Sequence, residues 1–225
     1  MNKNIINKII KHFTNPIQSI FFDVRKIYYI YSKFKLEKLM KTKLPVSDFL
    51  MDPDYIDLLN LYKIILQRKP KCTLEVGAGY STIVILNALK KNAELDKEKI
   101  KFFSLEQDQG YLDKMKTYFN EEDLVVLKFV KINLIVKKIN GQNVSICDEF
   151  PSIKINFFYE DRADHPNIPI AGDGVNIEEK MPEDFCLCVD GMNKTVRFFK
   201  ENLKRDYKIT GGIFSGTNFI PLVKK

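Results

Sequence analysis

The chain has 225 residues, of which 45% are hydrophobic and 29% charged, a balance typical of a globular domain with a sizeable core. No stretch approaches the length of about 18 uncharged apolar residues that a membrane-spanning helix needs. The formal charge of +7 lies entirely in residues 1–50, and the neutral remainder argues against a nucleic-acid partner.

Residues 1–50 are predicted to form a basic helical extension. Apolar residues recur on one helical face between residues 3 and 13, and a second apolar and basic stretch runs from Ile17 to about Met40. Such helices can cap the domain, contact a partner subunit in a homo-oligomer, or lie on an anionic membrane surface. The sequence leaves these alternatives open.

The cysteines and the N-terminal sequence indicate in which cellular compartment the protein is expected. The four cysteines lack the spacing of a zinc site, and Cys72 and Cys188 lie in apolar runs that predict burial. No secretory signal peptide is visible. We therefore expect a reducing, cytoplasmic location, with peripheral membrane contact if the N-terminal helices bind lipid.

Residues 51–225 alternate between helical and strand patterns, which predicts one α/β domain with a mostly parallel sheet and helices on both faces. In chain order the first expected elements are a helix at Asp52–Gln67, a strand at Cys72–Val76, a helix at Ser81–Lys91, a strand at Lys101–Leu105, a helix at Asp108–Phe119 and a β-rich run at Leu124–Ile132.

The second half of this domain is less regular. Asn140-Gly141 predicts an inserted β-hairpin, and an antiparallel hairpin is expected to close the C-terminal end, with Pro221 on an edge strand. The other expected elements are a strand at Ile153–Tyr159, a loop at Arg162–Asp184, a strand at Phe185–Val189, a helix at Lys194–Leu203 and the closing strands at Tyr207–Thr210 and Asn218–Val223.

A glycine turn follows the first predicted strand and opens a helix, which is the context of a cofactor-binding turn. Gly77 and Gly79 let the backbone approach a ligand closely. Thr82 stands where a dinucleotide site has its third glycine, which disfavours NAD and FAD. The carboxylate of Glu75 suits a ligand with positive charge, such as a sulfonium and an α-amino group.

An acidic residue also ends the second predicted strand. Glu106 can accept hydrogen bonds from both hydroxyls of a ribose, since ligands bind at the carboxyl ends of strands in open α/β sheets. The alternative is a solvated glutamate beside a structural turn. The glycine turn that precedes it favours the ligand-binding interpretation.

The run from Glu75 to Gly79 resembles motif I of class I, S-adenosylmethionine-dependent methyltransferases, and Glu106 matches the ribose-binding acid of that family. The resemblance implies an α/β, Rossmann-like class I methyltransferase sheet with S-adenosylmethionine as cofactor. The cofactor contacts that it implies come from Glu75, Gly77, Ala78, Gly79, Tyr80, Ser81, Thr82, Glu106 and Gln107.

A narrower resemblance, over residues 52–225, is to uncharacterised methyltransferase-like proteins associated with sugar or surface-polysaccharide biosynthesis. It rests on the longer run to Thr82, on Asn140-Gly141, on Asp161 and on Asp190-Gly191. It implies a small-molecule acceptor such as a hydroxyl of a sugar or glycan precursor. Arg162 follows Asp161 where such proteins usually have Gly-Pro, so a catalytically degenerate cofactor-binding or scaffold protein is the alternative.

The acceptor is expected over the carboxyl ends of the fourth and fifth strands. Asp161 is a candidate catalytic residue by its position, and His165 by the ordinary pKa of an imidazole, which suits a general base. Asp190 is expected to cap the helix that begins near Asn193. No metal is expected, because the segment from Asp190 to Asn193 lacks the Asp-Asn pair of catechol-type O-methyltransferases.

Overall fold

The structure is a computed structural model that describes residues 23–96, 99–162, 169–211 and 216–222. Helix α1 is described over residues 23–40. The other helices are α2 (Tyr55–Arg68), α3 (Tyr80–Asp96), α4 (Gln109–Lys116), α5 (Glu121–Val126), α6 (Asp173–Ile177) and α7 (Asn193–Asn202), with a 3₁₀ turn at Glu178–Lys180. The strands are β1 (Cys72–Val76), β2 (Lys101–Glu106), β3 (Leu127–Lys131), β4 (Leu134–Ile139), β5 (Gln142–Cys147), β6 (Phe157–Glu160), β7 (Ile170–Ala171), β8 (Cys186–Val189), β9 (Tyr207–Thr210) and β10 (Thr217–Pro221).

Seven strands form the central sheet, in the order β3-β2-β1-β6-β8-β10-β9. Strand β1 pairs in parallel with β2 and β6, while β10 is antiparallel to both β8 and β9. This confirms the predicted Rossmann-like α/β sheet with an antiparallel C-terminal hairpin. The four strands β1, β2, β6 and β8 run in the same direction, so Val76, Glu106, Glu160 and Val189 end at one edge of the sheet.

The sheet buries both of its faces, as a parallel sheet covered by helices must. Alternate residues of β6 point to opposite sides: Phe157 and Tyr159 join the core cluster of α1, α2 and α3, and Phe158 joins the cluster that contains α7. Leu36 and Met40 of α1 belong to the first of these clusters. The described part of the N-terminal extension therefore packs on the domain, and the boundary at residue 50 stays a prediction.

A second, three-stranded sheet has the order β4-β5-β7. The β4–β5 hairpin turns at Asn140 and Gly141, whose φ angles of 47° and 85° are both positive, as a type I′ turn requires. Strand β5 pairs in parallel with β7, through Val144 and Ile170. The predicted hairpin insertion is confirmed, and this pairing joins it to the connection between β6 and β8.

Several predicted boundaries are wrong. Helix α2 begins at Tyr55, because the carboxylate of Asp54, and not of Asp52, accepts the hydrogen bond from Ile56 N. The run that was predicted to be β-rich, Leu124–Ile132, is not all strand. Its first three residues are the last residues of helix α5, because a capping box between Asn120 and Asp123 starts a helix there. The predicted strand at Ile153–Tyr159 begins only at Phe157.

Two further expectations in the second half are corrected. The segment predicted as a loop over Arg162–Asp184 contains β7, α6 and the 3₁₀ turn among its described residues. Strand β10 is internal to the sheet, because β8 flanks it on one side and β9 on the other. Pro221 is tolerated there because it lies beyond the residues of β10 that pair with β8, which are Thr217 to Phe219.

Two predicted features fall on residues that the structure does not describe: the helical pattern of residues 3–13, and His165. Cys72 and Cys188 are buried, as predicted, and so are Cys147 and Cys186. Within the four described ranges, no helix combines the length and the apolar character that crossing a bilayer demands.

Candidate active site

The glycine turn is held together by a buried acid beneath it. Glu75 is 0% exposed, and its Oε2 accepts hydrogen bonds from Thr82 Oγ1 at 2.6 Å and Ser104 Oγ at 2.7 Å. Thr82 Oγ1 also accepts a hydrogen bond from Gly79 N at 3.0 Å. Thr82 therefore links the acid to the turn, which explains a hydroxyl residue at the position where dinucleotide sites have glycine.

Sequence reasoning missed Ser104. It lies directly opposite Glu75 in the β1–β2 pairing, on the neighbouring strand. One feature of the sequence could have identified it: Ser104 is the single small polar residue in the otherwise apolar middle of β2, Phe102–Leu105. A buried carboxylate needs hydrogen-bond donors, and a serine on the adjacent strand supplies one.

The side chain of Glu75 has an unusual pKa for a glutamate. Burial raises its pKa to about 7, although the nearby hydroxyls of Ser81, Thr82 and Ser104 act in the opposite direction. Its Oε1 has no hydrogen-bond partner among the described residues. Glu75 thus lies below the turn, fully enclosed, and its predicted direct contact with a cofactor stays a prediction.

The two glycines of the turn serve different purposes. Gly77 has a φ of 96°, and a Cβ atom there would come within 3.0 Å of the backbone oxygen of Asp161, so only glycine lets the ends of β1 and β6 approach this closely. A Cβ atom at Gly79 would meet nothing nearer than Ser81 Oγ at 3.8 Å and Tyr111 Oη at 3.9 Å. A Cβ atom at Gly79 would therefore make only ordinary van der Waals contacts.

Glu106 is the last residue of β2, and one oxygen of its carboxylate accepts two hydrogen bonds from the backbone. Its Oε1 accepts hydrogen bonds from Gln107 N at 2.7 Å and Asp108 N at 3.0 Å. Asp108 caps helix α4 by accepting a hydrogen bond from Tyr111 N at 2.7 Å. These bonds orient the half-buried Glu106 side chain beside the exposed Gln107.

A cavity of about 620 Å³ lies between the glycine turn, the end of β2 and the small sheet. Its volume is in the usual range for a cofactor-sized ligand, roughly 300–1,000 Å³. Its lining includes four residues that were predicted to contact the cofactor and two residues of the small sheet. The first are Gly77, Ala78, Glu106 and Gln107, and the second are Ser145 and Ala171.

A second cavity, of about 150 Å³, adjoins the start of α3. Its lining is rich in carboxylates and phenols: Asp52, Asp54, Asp57, Asp161, Asp190, Tyr80, Tyr111 and Tyr159. Asp161 also lines the larger cavity, and so do Ala78 and Tyr111. Asp161 therefore lies at the junction of the two spaces.

Three carboxyl groups meet in the smaller cavity. Asp161 Oδ2 accepts a hydrogen bond from Ser81 Oγ at 3.1 Å. Burial, and next to it the charge of Asp190, raise the pKa of Asp161 well above its ordinary value. The same two causes raise the pKa of Asp57 to about 8. Neighbouring carboxyls in low dielectric favour the protonated form, which is why the pKa values of Asp57 and Asp161 are raised.

Sequence reasoning missed Asp57 and placed Asp190 elsewhere. Asp57 lies in α2, and its carboxylate accepts a hydrogen bond from Gly216 N and contacts Asp190. The prediction that Asp190 caps α7 is wrong: the N-cap residue is Met192, without a side-chain hydrogen bond. Asp190 instead lies beside Asp57 and Asp161, and its Oδ1 has no hydrogen-bond partner among the described residues.

Arg162 belongs to a buried ion-pair network on the side of the larger cavity. Its guanidinium donates to both oxygens of Glu160, at 2.8 and 2.9 Å, and to Asp173 Oδ2. Glu160 and Asp173 are both 0% exposed. Burial raises the pKa of Asp173 to about 7 in spite of Arg162. The network ties the end of β6 to the start of α6.

The remaining predicted residues complete the site. Ala78 is buried, and Tyr80 donates a hydrogen bond through its hydroxyl to Pro45 O at 2.8 Å, which joins the extension to the turn. His165 lies outside the described residues, so its base role stays a prediction. Within the described part of the chain, no three or more His, Cys, Asp or Glu side chains are arranged so that they could hold a metal ion.

Comparisons of the sequence find no matching family model and no matching curated protein. Solved structures do match. The SAH-bound methyltransferase PaMTH1 of Podospora anserina has a TM-score of 0.54 and 13% identity, over 86% of this chain and 88% of its own. At that identity the likeness shows the fold alone, a Rossmann-like methyltransferase fold.

Two other solved structures have lower TM-scores against this chain. The human methyltransferase 10 domain containing protein has a TM-score of 0.47 and 13% identity, over 88% of this chain and 97% of its own. A SAM-dependent methyltransferase of Aquifex aeolicus has a TM-score of 0.45 and 13% identity, over 84% of this chain and 97% of its own.

Proposed function

We propose that this protein transfers a methyl group from S-adenosylmethionine to a small-molecule acceptor. The observation that carries the proposal is the position of Asp161, which lines both the cofactor-sized cavity and the smaller carboxylate-rich cavity. A methyl donor in the first space and an acceptor in the second would meet at this residue. The solved methyltransferase with the same fold, PaMTH1, is SAH-bound, which supports this choice of cofactor.

The residues around the larger cavity suit S-adenosylmethionine. Glu106 is anchored through Oε1 by two backbone amides, so its other carboxylate oxygen can accept hydrogen bonds from ribose hydroxyls. Gly77 and Ala78 of the glycine turn line this cavity, so a ligand there can approach the backbone closely. Glu75, with one unpartnered oxygen, adds negative charge beneath a cationic ligand.

S-adenosylmethionine, when bound, supplies a methyl group already activated by its sulfonium. The protein has to align the acceptor, exclude water and receive a proton from the acceptor. Asp161 is the proposed proton acceptor, because its raised pKa makes its ionised form a stronger base than an ordinary aspartate. The positive charge of a bound cofactor would favour that ionised form. His165 is a second proposed base.

We propose a hydroxyl of a sugar or glycan precursor as the acceptor. The narrower family resemblance suggests it, and the lining of the smaller cavity supports it. Carboxylates such as Asp52 and Asp57 accept hydrogen bonds from hydroxyl groups, and the ring of Tyr159 offers an apolar surface to a sugar. The competing function is a cofactor-binding protein without turnover.

Isothermal titration with S-adenosylmethionine and S-adenosylhomocysteine tests the proposal. We expect micromolar binding that Glu106→Ala weakens at least tenfold, or roughly 1.4 kcal/mol. The matched control is Glu122→Ala, an exposed acid in α5 outside both cavities, which should bind like wild type. Absence of binding to folded protein would overturn the proposed function. Binding without S-adenosylhomocysteine release on a panel of sugars would favour the non-catalytic alternative.

A further inference from the structure

Helix α1 is apolar on two opposite faces. One face packs on the domain: Ser32, Leu36 and Met40 are buried, and the ring of Tyr29 meets that of Tyr55 edge-on at 5.3 Å. The residues of the other face are exposed, although they are apolar: Val24 (47%), Ile27 (67%), Ile30 (49%), Tyr31 (52%) and Phe34 (68%). We call this second set the outer stripe.

The spacing of the outer stripe makes it continuous. At 3.6 residues per turn, Val24, Ile27, Tyr31 and Phe34 fall within one side of the helix, roughly 180° from the core face. A surface helix ordinarily presents polar residues there. No residue in the described part of the chain buries this stripe. Contiguous exposed apolar surface of this kind marks a contact site.

Positive charge surrounds the outer stripe. Lys26 and Lys38 are exposed on the same helix, and Lys41 and Lys43 are exposed directly after it. Against these cations, α1 contains two acids, Asp23 and Glu37. The sequence of residues 1–22 adds Lys3, Lys8 and Lys11 without an acid, whereas residues 51–225 are neutral overall.

We propose that the outer stripe binds the surface of an anionic lipid membrane. The apolar side chains would enter the boundary between headgroups and acyl chains, while the lysines would contact lipid phosphates. Phe34 and Tyr31 suit this boundary, since aromatic side chains concentrate at membrane interfaces. The proposal is independent of the proposed enzymatic function.

The charge of α1 disfavours two other partners. A second copy packed symmetrically on the outer stripe would bring two sets of lysines together, and like charges repel. A nucleic acid would satisfy the lysines, but it would leave five apolar side chains exposed. An anionic membrane satisfies both the apolar and the charged groups.

The membrane-facing helix adjoins the candidate acceptor site. Arg25 donates a hydrogen bond to Asp54 at 3.1 Å, and Asp54 lines the smaller cavity. A groove between the start of α1 and residues 52–54 shares Asp52, Pro53 and Asp54 with that cavity. If the proposed function holds, an acceptor held at the membrane would therefore lie close to the site.

Vesicle co-sedimentation of the full-length protein tests the proposal. We expect binding to phosphatidylcholine vesicles that contain about 30% phosphatidylserine, at least tenfold stronger than to phosphatidylcholine alone and weaker at high salt. The stripe variant Ile27→Ser/Phe34→Ser should lose at least fivefold, and Lys38→Gln/Lys41→Gln should lose mainly the preference for anionic vesicles. The matched control, Val125→Ser/Val136→Ser, replaces two equally exposed valines elsewhere and should bind like wild type.

Several results would overturn the proposal. They are an absence of binding to anionic vesicles, unchanged binding of the stripe variant, and a dimer in light scattering that the stripe variant disperses. Loss of binding on deletion of residues 1–22 with full binding of the stripe variant would also overturn it. Circular dichroism and S-adenosylhomocysteine titration of each variant separate a folding failure, or a failure of the proposed function, from a loss of lipid contact.

Discussion

The hydroxyl of Ser81 donates a hydrogen bond to Oδ2 of Asp161 at 3.1 Å. Ser81 lies in the first turn of α3 and Asp161 directly follows β6, so this bond joins the glycine turn to the proposed acceptor site. The orientation of the Asp161 side chain is thereby tied to the start of α3 through one contact.

The two glycines of the turn should respond differently to substitution. Gly79→Val should keep nearly the stability of wild type, because the Cβ atom makes only ordinary van der Waals contacts with Ser81 and Tyr111, but it should narrow the smaller cavity, which Gly79 lines, and slow methyl transfer at least tenfold, roughly 1.4 kcal/mol. Gly77→Ala should lose about 1–3 kcal/mol of unfolding free energy, because of its positive φ and the contact with Asp161. Urea unfolding measures the stabilities, and S-adenosylhomocysteine release on a panel of sugars measures methyl transfer. Unimpaired methyl transfer by Gly79→Val would contradict our location of the acceptor.

Removal of the Arg162 side chain should destabilise the fold strongly. Arg162→Met leaves Glu160 and Asp173 buried without their partner, a situation that costs about 3–5 kcal/mol in unfolding free energy. The cost should be larger at pH 8 than at pH 5, because protonation of the orphaned carboxyls relieves it at low pH. The control is Arg197→Met, whose ion pair with Glu201 is exposed and should contribute less than about 1 kcal/mol. Equal costs for the two variants would refute a structural role for the network.

Stability should fall as the pH rises through the range set by Glu75. Its pKa is raised from 4.5 to about 7 in the folded state. A raised carboxyl pKa stabilises the fold fully below about pH 4.5, and this contribution is lost as the pH approaches 7, by up to roughly 3 kcal/mol. Glu75→Gln should therefore flatten the dependence of unfolding free energy on pH between 5 and 8. Glu122→Gln is the control. If the unfolding free energies of wild type and Glu75→Gln depend on pH in the same way, the raised pKa of Glu75 is refuted.

Local patterns in the sequence predicted most of the sheet and the glycine turn. Strand β1, the Asn140-Gly141 hairpin and the closing hairpin lie where they were expected, since each depends on hydrophobic alternation or turn residues that are close along the chain. The hydrogen bond from Thr82 to Glu75, seven residues earlier, was not predicted. Errors concentrated at element ends, where caps such as Asp54 decide the boundary.

Tertiary structure alone decided how distant acids meet. Asp57, Asp161 and Asp190 come from a helix and two strand ends that are remote in sequence, and nothing near Asp57 distinguishes it from a solvated helical position. Ser104 and Asp173 likewise acquire their partners only when strands and helices pack. The sequence determined the fold class and the glycine turn, because short-range patterns encode them. The carboxyl cluster, the buried Arg162 network and the exposure of the outer stripe depend on long-range packing, which no local pattern encodes.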